Sequence, residues 1–376
     1  MPLAGLNPGV DWRLGFWTGR SLNAKGGVGR LLFMRQERVS GIRARLGCAF
    51  GWAALVGMVL SVATGQAIVP EYRVGDGGVV IEGVDGGNPI LYDNDWWFDV
   101  FDNNYLWAQA SLGRARLVGN VVTRDMWDWE SGYQYSMEQC LADAEKALVL
   151  ARSSGLAGVP DMTRGADRVL ERPASGRIED TLVQPTAGSR LIVEEARKAS
   201  PDRPLVVIAG GPLTTVANAL LTEPDVAPNV IVFSLTVSFY GYNGKDGWSA
   251  YIVAKRTRLV EWATGSFWER GSVFRPEHFQ GLPDNAFCRE MQGFIRSDLG
   301  MANQLGDGAP LVWLYDPGCW TGARVREAVW KGKAVEFTLA AEGDVLDIPR
   351  NQTDLERSRA EFFRVLENPR VYRAAR

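Results

Sequence analysis

Histidine is almost absent from this chain: of 376 residues, one, His278, carries an imidazole. That scarcity excludes zinc sites built on several histidines, and any Ser-His-Asp arrangement that does not run through position 278. Cysteine is nearly as scarce. The 4 cysteines include no pair at two-residue spacing, which excludes a disulfide framework and a Cys-based zinc ribbon. Cys140, Cys288 and Cys319 lie in the part read below as mature; one disulfide among them is open, and spacing does not choose it. An excess of charge is missing too. With 41 basic against 44 acidic residues the balance is −3, too small for a field that would draw in nucleic acid or anionic lipid. The partner this leaves is a small molecule, and any catalysis has to rest on carboxylates.

What is present is a chain that is 46% hydrophobic, enough for a sizeable buried core. The N-terminal part reads differently from the rest. After the basic positions Arg35, Arg38, Arg43 and Arg45 comes an apolar run over 48–62, then small residues ending Gly65-Gln66-Ala67. This is the order of a secretory signal, and the run is short of the ~20 apolar residues that span a bilayer. Residues 34–67 are therefore read as a cleaved signal peptide, with 1–33 an unassigned extension. Residues 68–376 are then one secreted or periplasmic domain with no membrane span after processing.

Beyond Ala67 short apolar runs alternate with helical periodicity. Strands are expected at 89–92, 115–122, 205–209 and 229–235, and helices at 102–112, 136–152, 189–198 and 213–221. Leu141, Ala144, Leu148 and Ala151 fall on one helical face, so they read as core. Such alternation implies an α/β fold, Rossmann-like, with a mostly parallel central sheet and helices on both faces. Ligands of such sheets sit beyond the carboxyl ends of the strands.

At the first of those ends stands Asp93-Asn94-Asp95-Trp96-Trp97-Phe98-Asp99-Val100-Phe101-Asp102. Carboxylates this dense repel one another unless a cation joins them, and calcium takes six to eight oxygen ligands. Two further segments follow: Ala209-Gly210-Gly211-Pro212-Leu213-Thr214-Thr215 after a strand, and Gly306-Asp307-Gly308-Ala309-Pro310, continuing to Asp316-Pro317. In this order the three segments resemble the calcium-dependent nucleoside hydrolases, with weaker similarity at 133–152, at Arg164-Gly165-Ala166-Asp167 and at 232–256. The likeness spans roughly residues 88–317.

The resemblance implies a calcium site formed by Asp95, Asp102, Asp307 and a main-chain carbonyl at or beside Gly210. The ion would hold a water and two ribose hydroxyls, with Asp95 as general base and Asp93 orienting the ligands from behind. Asp99, Asn243, Asp246 and Trp127 are the expected substrate contacts, and Trp96, Trp97 and Trp129 also flank the strand ends. As plain structure, the Asn243-Gly244 and Asp246-Gly247 pairs are turns, Asp99 is a helix-start aspartate and tryptophans are core. The implied reaction is the hydrolysis of an N-glycosidic bond in a nucleoside, and homo-oligomerisation is left open. Two positions depart from the pattern: Phe101 replaces an aspartate that contacts ribose, and Gly306 replaces a histidine that protonates the leaving base. A module that keeps calcium and nucleoside or sugar binding without turnover is therefore the alternative.

Overall fold

The computed structural model describes residues 69–96, 102–124, 136–234, 242–262, 274–296 and 308–373. The proposed signal segment and its extension lie outside the described residues. A small antiparallel hairpin comes first, β1 (Tyr72–Gly75) and β2 (Gly78–Ile81). The chain then builds a nine-stranded sheet in the order β10-β9-β11-β8-β7-β6-β3-β4-β5.

Its parallel part comprises β3 (Pro89–Asn94), β4 (Arg116–Val122), β5 (Met162–Arg164), β6 (Leu205–Ala209), β7 (Val230–Ser234), β8 (Arg258–Trp262) and β11 (Val345–Ile348). The remaining strands, β9 (Arg324–Lys331) and β10 (Ala334–Leu339), are antiparallel. The mostly parallel sheet read from the alternation is the sheet observed.

Alternation along each central strand divides the core in two. Ile90, Tyr92, Val206, Ile208, Ile231 and Phe233 point to one face. That face packs on α1 (Asp102–Ser111), α2 (Met137–Ser153), α6 (Ala286–Arg296), α7 (Gly308–Trp313) and α8 (Leu355–Leu366). Leu91, Val207, Ala209 and Val232 point to the other, against α3 (Ala187–Ala196), α4 (Thr214–Thr222) and α5 (Tyr242–Arg256). Both faces of a parallel sheet are buried, which is why these strands read as continuous apolar runs. Helix starts follow local chemistry as well: Ser136 accepts from the Gln139 N–H while the Gln139 side chain accepts from the Ser136 N–H, which fixes the first turn of α2.

Sequence periodicity stopped short of the C-terminal strands, and their pairing explains why. Strand β9 has one fully buried residue, Ala328, among exposed and half-buried ones with no period-two alternation, and ion pairs mark its place more than apolar content does. Glu261 at the end of β8 is fully buried and pairs with Arg326 of β9 at 2.9 Å. Arg324 pairs with buried Asp347 of β11, and Lys255 with buried Asp344 at 2.5 Å. Cys140, Cys288 and Cys319 are buried, and no disulfide joins any two of them. No helix among the described residues is long and apolar enough to cross a membrane. Because Glu261 would be left in the core without this cation, Arg326→Met is expected to cost about 3–5 kcal/mol in urea unfolding; a loss under about 1 kcal/mol, the size of an exposed pair, would show that the pair is not what registers β9.

Candidate functional site

The carboxyl ends of β3, β4, β5 and β6 converge on one carboxylate cluster. Strand β3 runs through Asp93 and Asn94 directly into Asp95, and all three side chains are buried. Beside it the ladder continues one residue past β6, where the Gly210 N–H donates to the Asp93 carbonyl at 2.9 Å. The chain then turns through Gly211-Pro212-Leu213 into α4. A β-carbon at Gly211 would stand 3.1 Å from Asp95 Cβ, closer than packed carbons approach, so the turn meets the acidic strand end because glycine is there. Asp95 and the Gly210 segment, both expected at a metal site, are thus brought together.

Directly after Asp95 the backbone is strained. Trp96 has φ of 65°, and it is the one non-glycine residue with positive φ among the described residues. Such a conformation costs on the order of 1–3 kcal/mol unless the surroundings impose it. Here they do. The Trp96 N–H donates to Asn94 Oδ1 at 2.8 Å and its indole Nε1 to the Val121 carbonyl at 3.2 Å. The ring lies edge-on to Tyr92 and against Trp107, both with centroids 5.7 Å away. Trp96 is therefore core and holds the turn that aims Asp95.

Asp93 is 1% exposed. Its Oδ1 accepts from Thr123 Oγ1 at 2.5 Å, while Oδ2 is buried with no hydrogen-bond partner. Burial pushes this carboxyl up to about 7, the Thr123 hydrogen bond opposes it, and the charge of Asp246 adds to the rise. Asp246 corrects an expectation. Read from the sequence as a ligand for a sugar hydroxyl, it is 2% exposed. Its Oδ2 accepts from the Leu213 N–H at 2.6 Å and its Oδ1 from Thr214 Oγ1 at 2.5 Å. The carboxylate thus caps the start of α4 from the kink in α5 at position 246, as an anion does at any helix N-terminus. Burial lifts its pKa to about 6, against hydrogen bonds from Ser249, Thr214 and the Leu213 N–H.

Other expected site residues fall where the structure says little of them. Asp99, Trp97, Phe101, Trp127, Trp129, Gly306 and Asp307 lie outside the described residues, as do the side chains of Asp102 and Asn243, whose backbones begin α1 and α5. No group of three or more His, Cys, Asp or Glu able to hold a metal occurs among the described residues; the expected set draws on Asp102 and Asp307, which that statement does not reach. The donors that are described fit a hard cation: a buried carboxylate at Asp95 with the Gly210-Gly211 main-chain turn close against it, and behind it an orphaned carboxylate oxygen at Asp93. His278 stands apart from these strand ends, its Nδ1 accepting from the Arg275 N–H.

A cavity of about 270 Å³ opens beside the cluster, lined by Ala166, Asp167, Arg168, Gln184, Pro185 and Thr186. The sequence had marked Arg164-Gly165-Ala166-Asp167 without assigning it a place; it is the loop after β5. Thr123 after β4 and Thr215 in the first turn of α4 complete the buried cluster with their hydroxyls; neither carries a sequence signal, because a threonine gives none until its neighbours are known.

An open α/β sheet with a buried acidic strand end beside a Gly-Pro-Leu-Thr turn defines the class, that of the nucleoside hydrolase fold. Solved structures agree. The chain superposes on a purine-preferring ribonucleoside hydrolase from Gardnerella vaginalis with a TM-score of 0.56 at 14% identity, covering 76% of this chain and 100% of that one. A plant nucleoside hydrolase matches with a TM-score of 0.54 at 14% identity over 75% and 99% of the two chains. An inosine-guanosine nucleoside hydrolase matches with 0.54 at 15% identity over 74% and 98%. At such identities the likeness is one of fold. No protein-family model and no curated protein matches the sequence.

The pKa of Asp246 gives the site a pH signature. Since the folded value lies above the ordinary 3.8, the stability this group contributes is whole below about pH 4 and is lost as pH rises through about 6. An asparagine side chain at this position would keep an acceptor for the Leu213 N–H without a charge to bury. Asp246→Asn is thus expected to flatten the fall in urea stability across that window, and an unchanged slope would assign the fall to other groups.

Proposed function

We propose that the protein is an exported, calcium-dependent hydrolase of N-glycosidic bonds that acts on ribonucleosides, with Asp95 as the general base. The observation that carries this reading is the placement of Asp95: buried, at the carboxyl end of β3, against the Gly211 turn of β6, in a fold shared with nucleoside hydrolases. Asp95, Asp102, Asp307 and the carbonyl at Gly210 would hold the ion, an all-oxygen set suited to calcium. When bound, the ion supplies the charge that lowers the pKa of a water and fixes two ribose hydroxyls.

Asp95 then takes one proton from the attacking water as its oxygen bonds to the anomeric carbon. The glycosidic C–N bond breaks with its electron pair going to the base, through an oxocarbenium-like sugar. Asp93 acts behind Asp95, holding the strand end rather than touching substrate. Asp99, Asn243 and Trp127 are the substrate contacts, and Asp246 serves by anchoring α4 and the turn before it. Phe101 and Gly306 narrow the substrate to one whose base departs without a histidine acid.

Incubation with calcium and a nucleoside panel tests this, with base release followed by chromatography. Asp95→Asn is expected to lower release by roughly 10²–10⁴-fold. Calcium and nucleoside binding without any release by the unaltered protein would instead favour a binding module, the reading that Phe101 and Gly306 support.

A further inference from the structure

Three of the strand ends, those of β3, β4 and β5, are tied to the start of α4 by a chain of buried hydrogen bonds whose direction can be worked out. The Ala166 N–H, in the loop after β5, donates to Thr215 Oγ1 at 2.9 Å. Thr215 Oγ1 lies 2.6 Å from Thr123 Oγ1, and Thr123 Oγ1 lies 2.5 Å from Asp93 Oδ1. Asp93, Thr123 and Thr215 are all buried, the two threonines fully.

A hydroxyl has one proton to give. An ionised carboxylate can only accept, so the single Thr123 proton goes to Asp93. At the 2.6 Å contact the Thr123 oxygen is then the acceptor and Thr215 the donor, while the Thr215 oxygen still has a lone pair for the Ala166 N–H. Reversal would ask Thr123 for a second proton that it does not have. The order is therefore fixed as Ala166, Thr215, Thr123, Asp93, and each bond polarises the next toward the carboxylate.

Two glycines close the space around this chain. A β-carbon at Gly165 would stand 2.8 Å from both threonine hydroxyls, and one at Gly188 would stand 3.1 Å from Gly165 Cα and 3.2 Å from Thr215 Cγ2. The two threonine hydroxyls thus meet where glycines leave them room.

We infer that Thr215 is a positioning residue: through Thr123 it fixes the Asp93 carboxylate and, with it, the strand end that presents Asp95. The consequence at a cation rests on the calcium reading above; the hydrogen-bond chain itself does not. Outer partners of metal ligands typically contribute 10–100-fold to affinity.

The test is a double-mutant cycle in the full chain, with calcium alone as the probe by titration calorimetry. Thr215→Val keeps the shape and removes the hydroxyl; Thr215→Ser keeps the hydroxyl. Thr215→Val is expected to raise the calcium Kd more than about threefold, toward the lower end of the roughly 10–100-fold that a direct partner of a metal ligand contributes, Thr215→Ser to stay within about threefold of the unaltered protein, and Thr215→Val to add nothing once Thr123 is replaced by valine. An unchanged Kd in Thr215→Val, or effects of the two substitutions that multiply, would overturn the inference. Should the unaltered protein bind no calcium, the calcium reading falls separately, and the same cycle read on the urea unfolding equilibrium decides: coupled losses uphold the chain through Thr123, and independent losses overturn it.

Discussion

Burying the Asp93 carboxylate where parallel strands end is the constraint to which the rest of this structure answers. A carboxylate taken out of water needs donors or a cation within reach. The protein provides one strong donor, Thr123, and leaves the second oxygen without any. Everything nearby serves that arrangement. The Gly210 N–H holds the Asp93 backbone, glycines at 165 and 188 clear the room for the threonine hydroxyls, and the positive φ of Trp96 is held by the packing of its ring directly after Asp95.

A second buried carboxylate, Asp246, shows how the same physics yields a different role. It too is taken out of water, but its oxygens meet the Leu213 N–H and the Thr214 hydroxyl. A satisfied carboxylate at a helix start is an anchor; a half-satisfied one at a strand end is material for a site. Sequence alone does not tell the two apart, because the difference lies in which donors the fold brings from 30 or more residues away.

That distinction marks how far the residues could be read in advance. The central strands and α1 to α4 were legible since burial on both sheet faces, or on one helix face, imposes apolar periodicity. The helix expected at 189–198 is Ala187–Ala196, starting early because Thr186 and Ser189 cap it reciprocally. The edge strands β9 and β10 were not legible, as ion pairs and turns specify them more than hydrophobic alternation does. At the candidate site, motif reading pointed to Asp95 and the Gly210 turn, which the fold brings together; the buried helix-capping place of Asp246 and the two threonines carried no sequence signal.

The appended C-terminal hairpin carries one more implication. The likeness to nucleoside hydrolases, judged by motif, fades near residue 317, yet Arg326 lies beyond it and neutralises Glu261 near the carboxyl end of β8, the end of the sheet at which the acidic cluster also sits. The tail is thus an electrostatic component of the parallel sheet, and a boundary drawn by motif alone would cut through a fold that the charges show to be continuous.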